Sequence, residues 1–257
     1  MHPSHMTTST STPNGSPLRS LRSSVASAPY DAHSLSARAR LGELLTRLTG
    51  DEKHAPSAYS TLDVLWVLYD RVLRASPGSV DDPDRDRFLL SKGHGPAAYY
   101  AVLAAKGFIP EEWLDDLAGP DSRLGHHPDR LLVPGVEIGS GSLGHGLGLG
   151  VGTALGLRAQ GLTDPRVYVL VGDAELDEGS NHEAIAYAGT TGLDSLTAIV
   201  IDNQSSTHGW PGGLASRFHG WTSSTVDGRN HDAIEAGLRA HTGAAPHVVV
   251  AVVEKKG

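Results

Sequence analysis

From about residue 32 onward, short runs of large apolar residues alternate with amphipathic stretches. Residues 167–171, Val-Tyr-Val-Leu-Val, form a continuous β-branched run closed by Gly172. That pattern predicts a strand buried on both faces. Residues 196–201 and 246–253 read the same way, the last with Val at 248, 249, 250, 252 and 253. Shorter strands are expected at 87–90 and 222–226. Between them the spacing turns helical: Leu35, Leu41, Leu44, Leu45 and Leu48 form one stripe, stopped by Gly50. Leu62, Leu65, Trp66, Tyr69, Val72 and Leu73 form another, with Ser60 or Thr61 as its cap. Further helices are expected at 96–106, 111–117, 147–160, 180–191 and 214–218, and a last one runs to Ala240 from a cap at Asn230 or Asp232. Strands alternating with helices predict an α/β domain, a mostly parallel sheet with helices on both faces, over residues 30–257. Residues 1–29 are Ser, Thr, Pro and small residues, which bury too little to offset chain entropy; they read as a disordered tail.

Composition narrows the function classes. The 257 residues hold no cysteine, which removes disulfides, zinc thiolates and cysteine nucleophiles, and fits a cytoplasmic protein. A formal net charge of −8 argues against a nucleic-acid surface, while leaving room for an anionic ligand bound locally. No apolar run is clean enough to span a membrane, since 143–157 is broken by glycines and His145, and no signal-peptide pattern opens the chain.

The chemistry concentrates where strands end. Asp173 and Asn203 each follow a strand and lie 30 residues apart, one strand–helix–strand unit. Their strands should be parallel neighbours, with both residues on the sheet edge where α/β proteins bind ligands. A carboxylate and an amide oxygen are hard donors that, with a diphosphate and water, complete a Mg²⁺ shell. Gly172 permits close backbone approach to a phosphate, and the following helix offers amides. The plainer alternative is that Asp173 caps a helix and Asn203 makes a turn. His94 lies between a strand end and a helix start, a place suited to donating to a phosphate or to a structural hydrogen bond. Adjacent His126 and His127 suggest zinc, but neighbouring residues rarely share one metal and no third soft ligand is near. The glycine-rich 135–146 segment is not a dinucleotide fingerprint, because Pro134 breaks the strand that should precede it.

Gly172-Asp173-Ala174-Glu175, Glu178-Gly179 and Asn203 together resemble the thiamine diphosphate fingerprint of the transketolase family. So do Lys92-Gly93-His94, Gly125-His126-His127-Pro128-Asp129 and Gly141-Ser142-Leu143-Gly144. The resemblance implies Mg²⁺ (or Ca²⁺ or Mn²⁺) held by Asp173, Asn203 and the main chain of Ser205. It implies thiamine diphosphate contacts from His94, Gly172, Asp173, Ala174, Glu175 and Asn203, and an aminopyrimidine held by Gly141, Ser142 and Leu143. His54, His94 and His127 are implied to face substrate and move protons. Glu178 is implied to join a carboxylate network at a subunit contact. The pattern departs from the family at Lys53, Ala55 and Pro56 around His54, and at His126, His145, Ala174 and His208. The resemblance covers only the family's first domain. The pyrimidine pocket and the ring-protonating glutamate belong to the second, so a separate C-terminal transketolase subunit is implied, in a heterotetramer with two copies of each chain. The implied reaction moves a two-carbon ketol unit from a ketose, a sugar or sugar phosphate, to an aldehyde. Two rivals remain: a subunit of another thiamine enzyme, such as a 2-oxoacid dehydrogenase, and a non-catalytic partner protein.

Overall fold

The sheet holds strands β1 (Arg87–Leu90), β2 (Val167–Gly172), β3 (Leu196–Asp202), β4 (Thr222–Asp227) and β5 (His247–Val252) in the order β1-β2-β3-β5-β4. The structure is a computed structural model that describes residues 32–48, 55–93, 96–206 and 210–255. The expected tail at 1–29, and His54, His94 and His208, lie outside the described residues. Every strand pair is parallel. Side chains alternate across the sheet, so continuous apolar strands supply two cores. Phe88, Leu90, Tyr168, Leu170, Ile199, Ile201, Val249 and Ala251 face one core. It is shared with helices α1 (Ala32–Arg47), α2 (Ala55–Val67), α3 (Ala97–Ala105) and α6 (His231–Arg239). Leu89, Val169, Val171, Ala198, Val200 and Val250 face the other, under α4 (His145–Ala159) and α5 (Gly179–Thr191). Helix α4 approaches so closely that a Cβ on Gly150 would stand 2.4 Å from Val169 Cγ2.

Several expected boundaries move. Helix α2 starts at Ala55, and a π-helical turn, Leu68–Val72, continues it. Ser60 and Thr61 are therefore interior and buried, not caps; Thr61 Oγ1 donates back to Ala58 O at 2.9 Å. The helix lies between α3 and α6, so almost every side needs an apolar residue, and the polar pair misled the reading of its start. The segments at 111–117 and 214–218 are 3₁₀ turns, Glu111–Asp116 and Leu214–Arg217. Asn230 does cap α6, accepting from Ala233 N at 3.0 Å. Leu35, placed on the stripe of α1, is 55% exposed. Among the described residues no helix is long and apolar enough to cross a membrane.

Candidate active site

Strands β2 and β3 run side by side with Gly172 opposite Ile201, so Asp173 and Asn203 emerge together at the carboxyl edge. Asp173 N donates to Ile201 O at 3.1 Å, which carries the ladder one residue past the strand. The Asp173 side chain is 1% exposed and hydrogen-bonded on both oxygens. Oδ1 accepts from Ala174 N at 2.8 Å and Ser205 Oγ at 2.5 Å; Oδ2 accepts from Ser205 N at 2.7 Å and Ser206 N at 3.3 Å. The loop after β3 thus folds back onto the loop after β2. Gln204 makes that turn in the left-handed region, φ 55°, uncommon for a residue with a side chain. Asn203 is 3% exposed, and its Oδ1 has no hydrogen-bond partner among the described residues. Burying such an oxygen unpaired is costly, and a cation at this position removes the cost. Among the described residues no three His, Cys, Asp or Glu side chains group around a metal position. A cation beside Asp173 must then take amide, main-chain and diphosphate oxygens, the donor set a hard ion prefers.

Ala174, where glycine is usual, follows from the backbone: it opens a 3₁₀ turn, Ala174–Asp177, with negative φ, so a methyl group brings no strain. Glu175, in the same turn, is 2% exposed and joins three segments. Its Oε1 accepts from Gly144 N at 2.9 Å and from the Ser91 hydroxyl, and its Oε2 accepts from Gly172 N at 3.1 Å. Ser91 Oγ in turn accepts from Gly146 N at 3.0 Å. Burial pushes the Glu175 carboxyl up, and the three hydrogen bonds and the Lys92 charge pull it back. Its side chain positions the glycine-rich segment against β1 and β2.

That segment meets the other loops by backbone contact. A Cβ on Gly93 would lie 2.7 Å from Gly141 N, and one on Gly141, at φ 121°, would lie 2.9 Å from the His127 ring. Glycine at both positions lets the loop after β1, the 139–144 segment and His127 stack. His127 Nδ1 lies 3.0 Å from Gly93 O; a carbonyl only accepts, so Nδ1 carries the proton and Nε2 the lone pair of the neutral ring. Ser142 is exposed and Leu143 half-buried, beside a cavity of about 490 Å³ lined by Ser140, Ser142, Gly144, His145 and Ser180. Glu178 is exposed at the start of α5; its Cβ sits 2.6 Å from where a Gly144 side chain would begin.

The structure therefore brings Ser205 onto Asp173, with Asn203 at the end of the adjacent strand, and Gly141 onto His127. Glu175 connects them. Ser91, Asp177, Ser206 and Arg217 also belong to this edge and were missed. Ser91, adjoining Lys92-Gly93, carried a positional hint; the others had none, because their partners are distant in sequence.

The family described as "Transketolase, thiamine diphosphate binding domain" matches residues 49–240. A protein of Rhodococcoides fascians named ferredoxin fas2 is 55% identical over 218 residues, 84% of this chain and 72% of that protein. The 6-deoxy-6-sulfo-D-fructose transketolase subunit SqwG of a Clostridium species is 35% identical over 216 residues, 79% of this chain and 78% of SqwG. Among solved structures, transketolase from Leishmania mexicana superposes with a TM-score of 0.68 at 26% identity, over 85% of this chain and 36% of that one. The chain thus spans about a third of that solved enzyme's length.

Proposed function

The chain belongs to the transketolase thiamine diphosphate-binding family, and on that premise we propose that it is the N-terminal subunit of a two-component transketolase. It transfers a two-carbon ketol unit from a ketose to an aldehyde together with a separate C-terminal subunit. The observation that carries this reading is Asn203 Oδ1, buried without a partner among the described residues, at the end of the strand that runs parallel to and beside the one Asp173 follows. Two hard oxygen donors at neighbouring strand ends, one of them unsatisfied among the described residues, suit Mg²⁺ as the ion they would hold. Relatives named as transketolase subunits and covered for most of their length, such as SqwG, support the division into two chains. Residues 30–257 are the diphosphate-binding domain in this account, which is cytoplasmic and assembles as a heterotetramer.

When bound, thiamine diphosphate supplies the carbon nucleophile that a ketose carbonyl accepts. The chain's own residues do the rest. Asp173, Asn203 and the carbonyl of Ser205 hold the cation. Gly172, Ala174 and His94 meet the diphosphate, Glu175 sets the loop around it, and Gly141, Ser142 and Leu143 present main chain to the aminopyrimidine. His127, its Nδ1 proton fixed on Gly93 O, turns Nε2 to a donor-sugar hydroxyl and accepts its proton. His54 and His94 share that work, and Glu178 meets the partner subunit. The relative's name ferredoxin does not carry over to cluster chemistry here, because these 257 residues contain no cysteine to ligate iron.

The test is reconstitution with a transketolase-like C-terminal chain encoded nearby. Ketol transfer that requires both chains, thiamine diphosphate and Mg²⁺, and falls at least about 100-fold in Asp173→Ala, is expected. Full activity in Asp173→Ala removes the metal assignment. Absence of cofactor-dependent turnover in every pairing leaves the non-catalytic partner instead.

A further inference from the structure

The two ligand-bearing loops are joined by more than Asp173. Asp177 ends the 3₁₀ turn that follows Asp173, and its Oδ2 accepts from Ser206 Oγ at 3.1 Å. Its Oδ1 accepts from Arg217 Nη1 at 2.9 Å. Arg217 is 5% exposed and comes from the Leu214–Arg217 turn. Its Nη2 donates to Leu176 O at 2.6 Å and lies 3.0 Å from His182 Nε2. The guanidinium stacks 4.5 Å from the centre of the Trp210 ring, and its Nε is buried without an acceptor among the described residues. A buried cation with an N–H left unsatisfied costs stability, and its remaining hydrogen bonds and ion pair must offset that cost. Here it clamps the Asp173 loop through Leu176 O and Asp177. Through Asp177 and Ser206 it also clamps the Asn203 loop, three residues past the orphaned amide oxygen.

We infer that Arg217 and Asp177 form a positioning pair that fixes the distance between the two metal-ligating loops, and so sets cation affinity without touching cation or substrate. The inference rests on the metal reading above. Octahedral Mg²⁺ tolerates little error in ligand placement, so a loosened loop pair should bind it more weakly. Larger, more permissive Ca²⁺ should be less affected.

The test titrates Mn²⁺, followed by electron paramagnetic resonance, into the full chain reconstituted with its partner subunit and thiamine diphosphate. Asp177→Asn, Ser206→Ala and Arg217→Lys are compared with wild type; lysine keeps the charge but not the fork that spans Asp177, Leu176 O and the Trp210 face. The expected result is an apparent Mn²⁺ dissociation constant raised about tenfold or more, kcat restored at saturating metal, and Ca²⁺ affinity changed less. Unchanged Mn²⁺ affinity in folded Asp177→Asn and Ser206→Ala overturns the inference. So does a loss of kcat that saturating metal does not restore, accompanied by a lowered melting temperature, since that marks a merely structural pair. If wild type binds no cation, the metal reading falls, and the positioning role with it.

Discussion

At the scale of single residues, the site depends on atoms that accept only one kind of replacement. Glu175 receives three donors in a buried place, so Glu175→Gln exchanges an acceptor for a second donor facing an amide. The expected cost is about 1–3 kcal/mol of stability, read from the urea midpoint, with weaker thiamine diphosphate binding by calorimetry as Gly144 shifts. Unaltered stability and binding would show that the carboxylate does not hold the segment. Gly141→Ala places a methyl group 2.9 Å from the His127 ring on a backbone at φ 121°. It should weaken thiamine diphosphate binding by calorimetry and raise KM for the ketose in the reconstituted enzyme; unchanged binding and KM would contradict the close stacking of this segment on His127. Asp173 and Asn203 were legible in the sequence because each ends an apolar run, and a strand–helix–strand spacing alone places them side by side. Asp177 and Arg217 were not, since they lie 40 residues apart with no periodicity linking them. The role of Glu175 was half legible: its place in the motif was clear, but its partners Ser91 and Gly144 come from other loops.

At the scale of elements, the sheet was legible nearly to its ends because buried parallel strands need unbroken apolar runs. Helix α2 was misplaced for the same physical reason: buried on most sides, it shows little amphipathic pattern, and a polar pair inside it imitates a cap. Glycines in α4 separate by position. Gly150→Ala presses on Val169 at 2.4 Å and should destabilise by about 1–3 kcal/mol, whereas Gly152, exposed with nothing within 4 Å, should gain about 0.5–1 kcal/mol as alanine. Thermal melts of the two variants should move in opposite directions; a shift of the same sign in both would contradict the packing of α4 on β2. Strand β5 carries a pH dependence. His247 is 1% exposed, with Nδ1 2.7 Å from Thr222 Oγ1 and Nε2 3.1 Å from Ser224 Oγ, and burial lowers its pKa below the usual value near 6.5. The unfolded chain therefore binds a proton that the folded chain resists. Stability is full above about pH 6.5 and is lost as pH falls below it toward the depressed folded value. Urea midpoints should drop between pH 7.5 and 5, less steeply in His247→Asn; an identical slope in the variant would place the titrating group elsewhere.

At the scale of the whole molecule, five parallel strands bring loops from β1, β2 and β3 to one edge, and a glycine-rich segment before α4 closes over them. The chain matches a family of thiamine diphosphate-binding domains and covers 78% of a relative named as a transketolase subunit, which supports the proposal that a second chain supplies the remaining chemistry. Mixing the two subunits should therefore produce a stable heteromer by sedimentation, with cofactor-dependent activity absent from either alone. Activity from this chain by itself would refute the division. The most direct measurement concerns the cation itself: a crystal structure of the reconstituted assembly grown with thiamine diphosphate and Mn²⁺, with the ion located by its anomalous signal. The account predicts one ion within about 2.2 Å of oxygens from both Asp173 and Asn203 and bridged to the diphosphate. An ion bound elsewhere, or a diphosphate seated without either side chain, would contradict it.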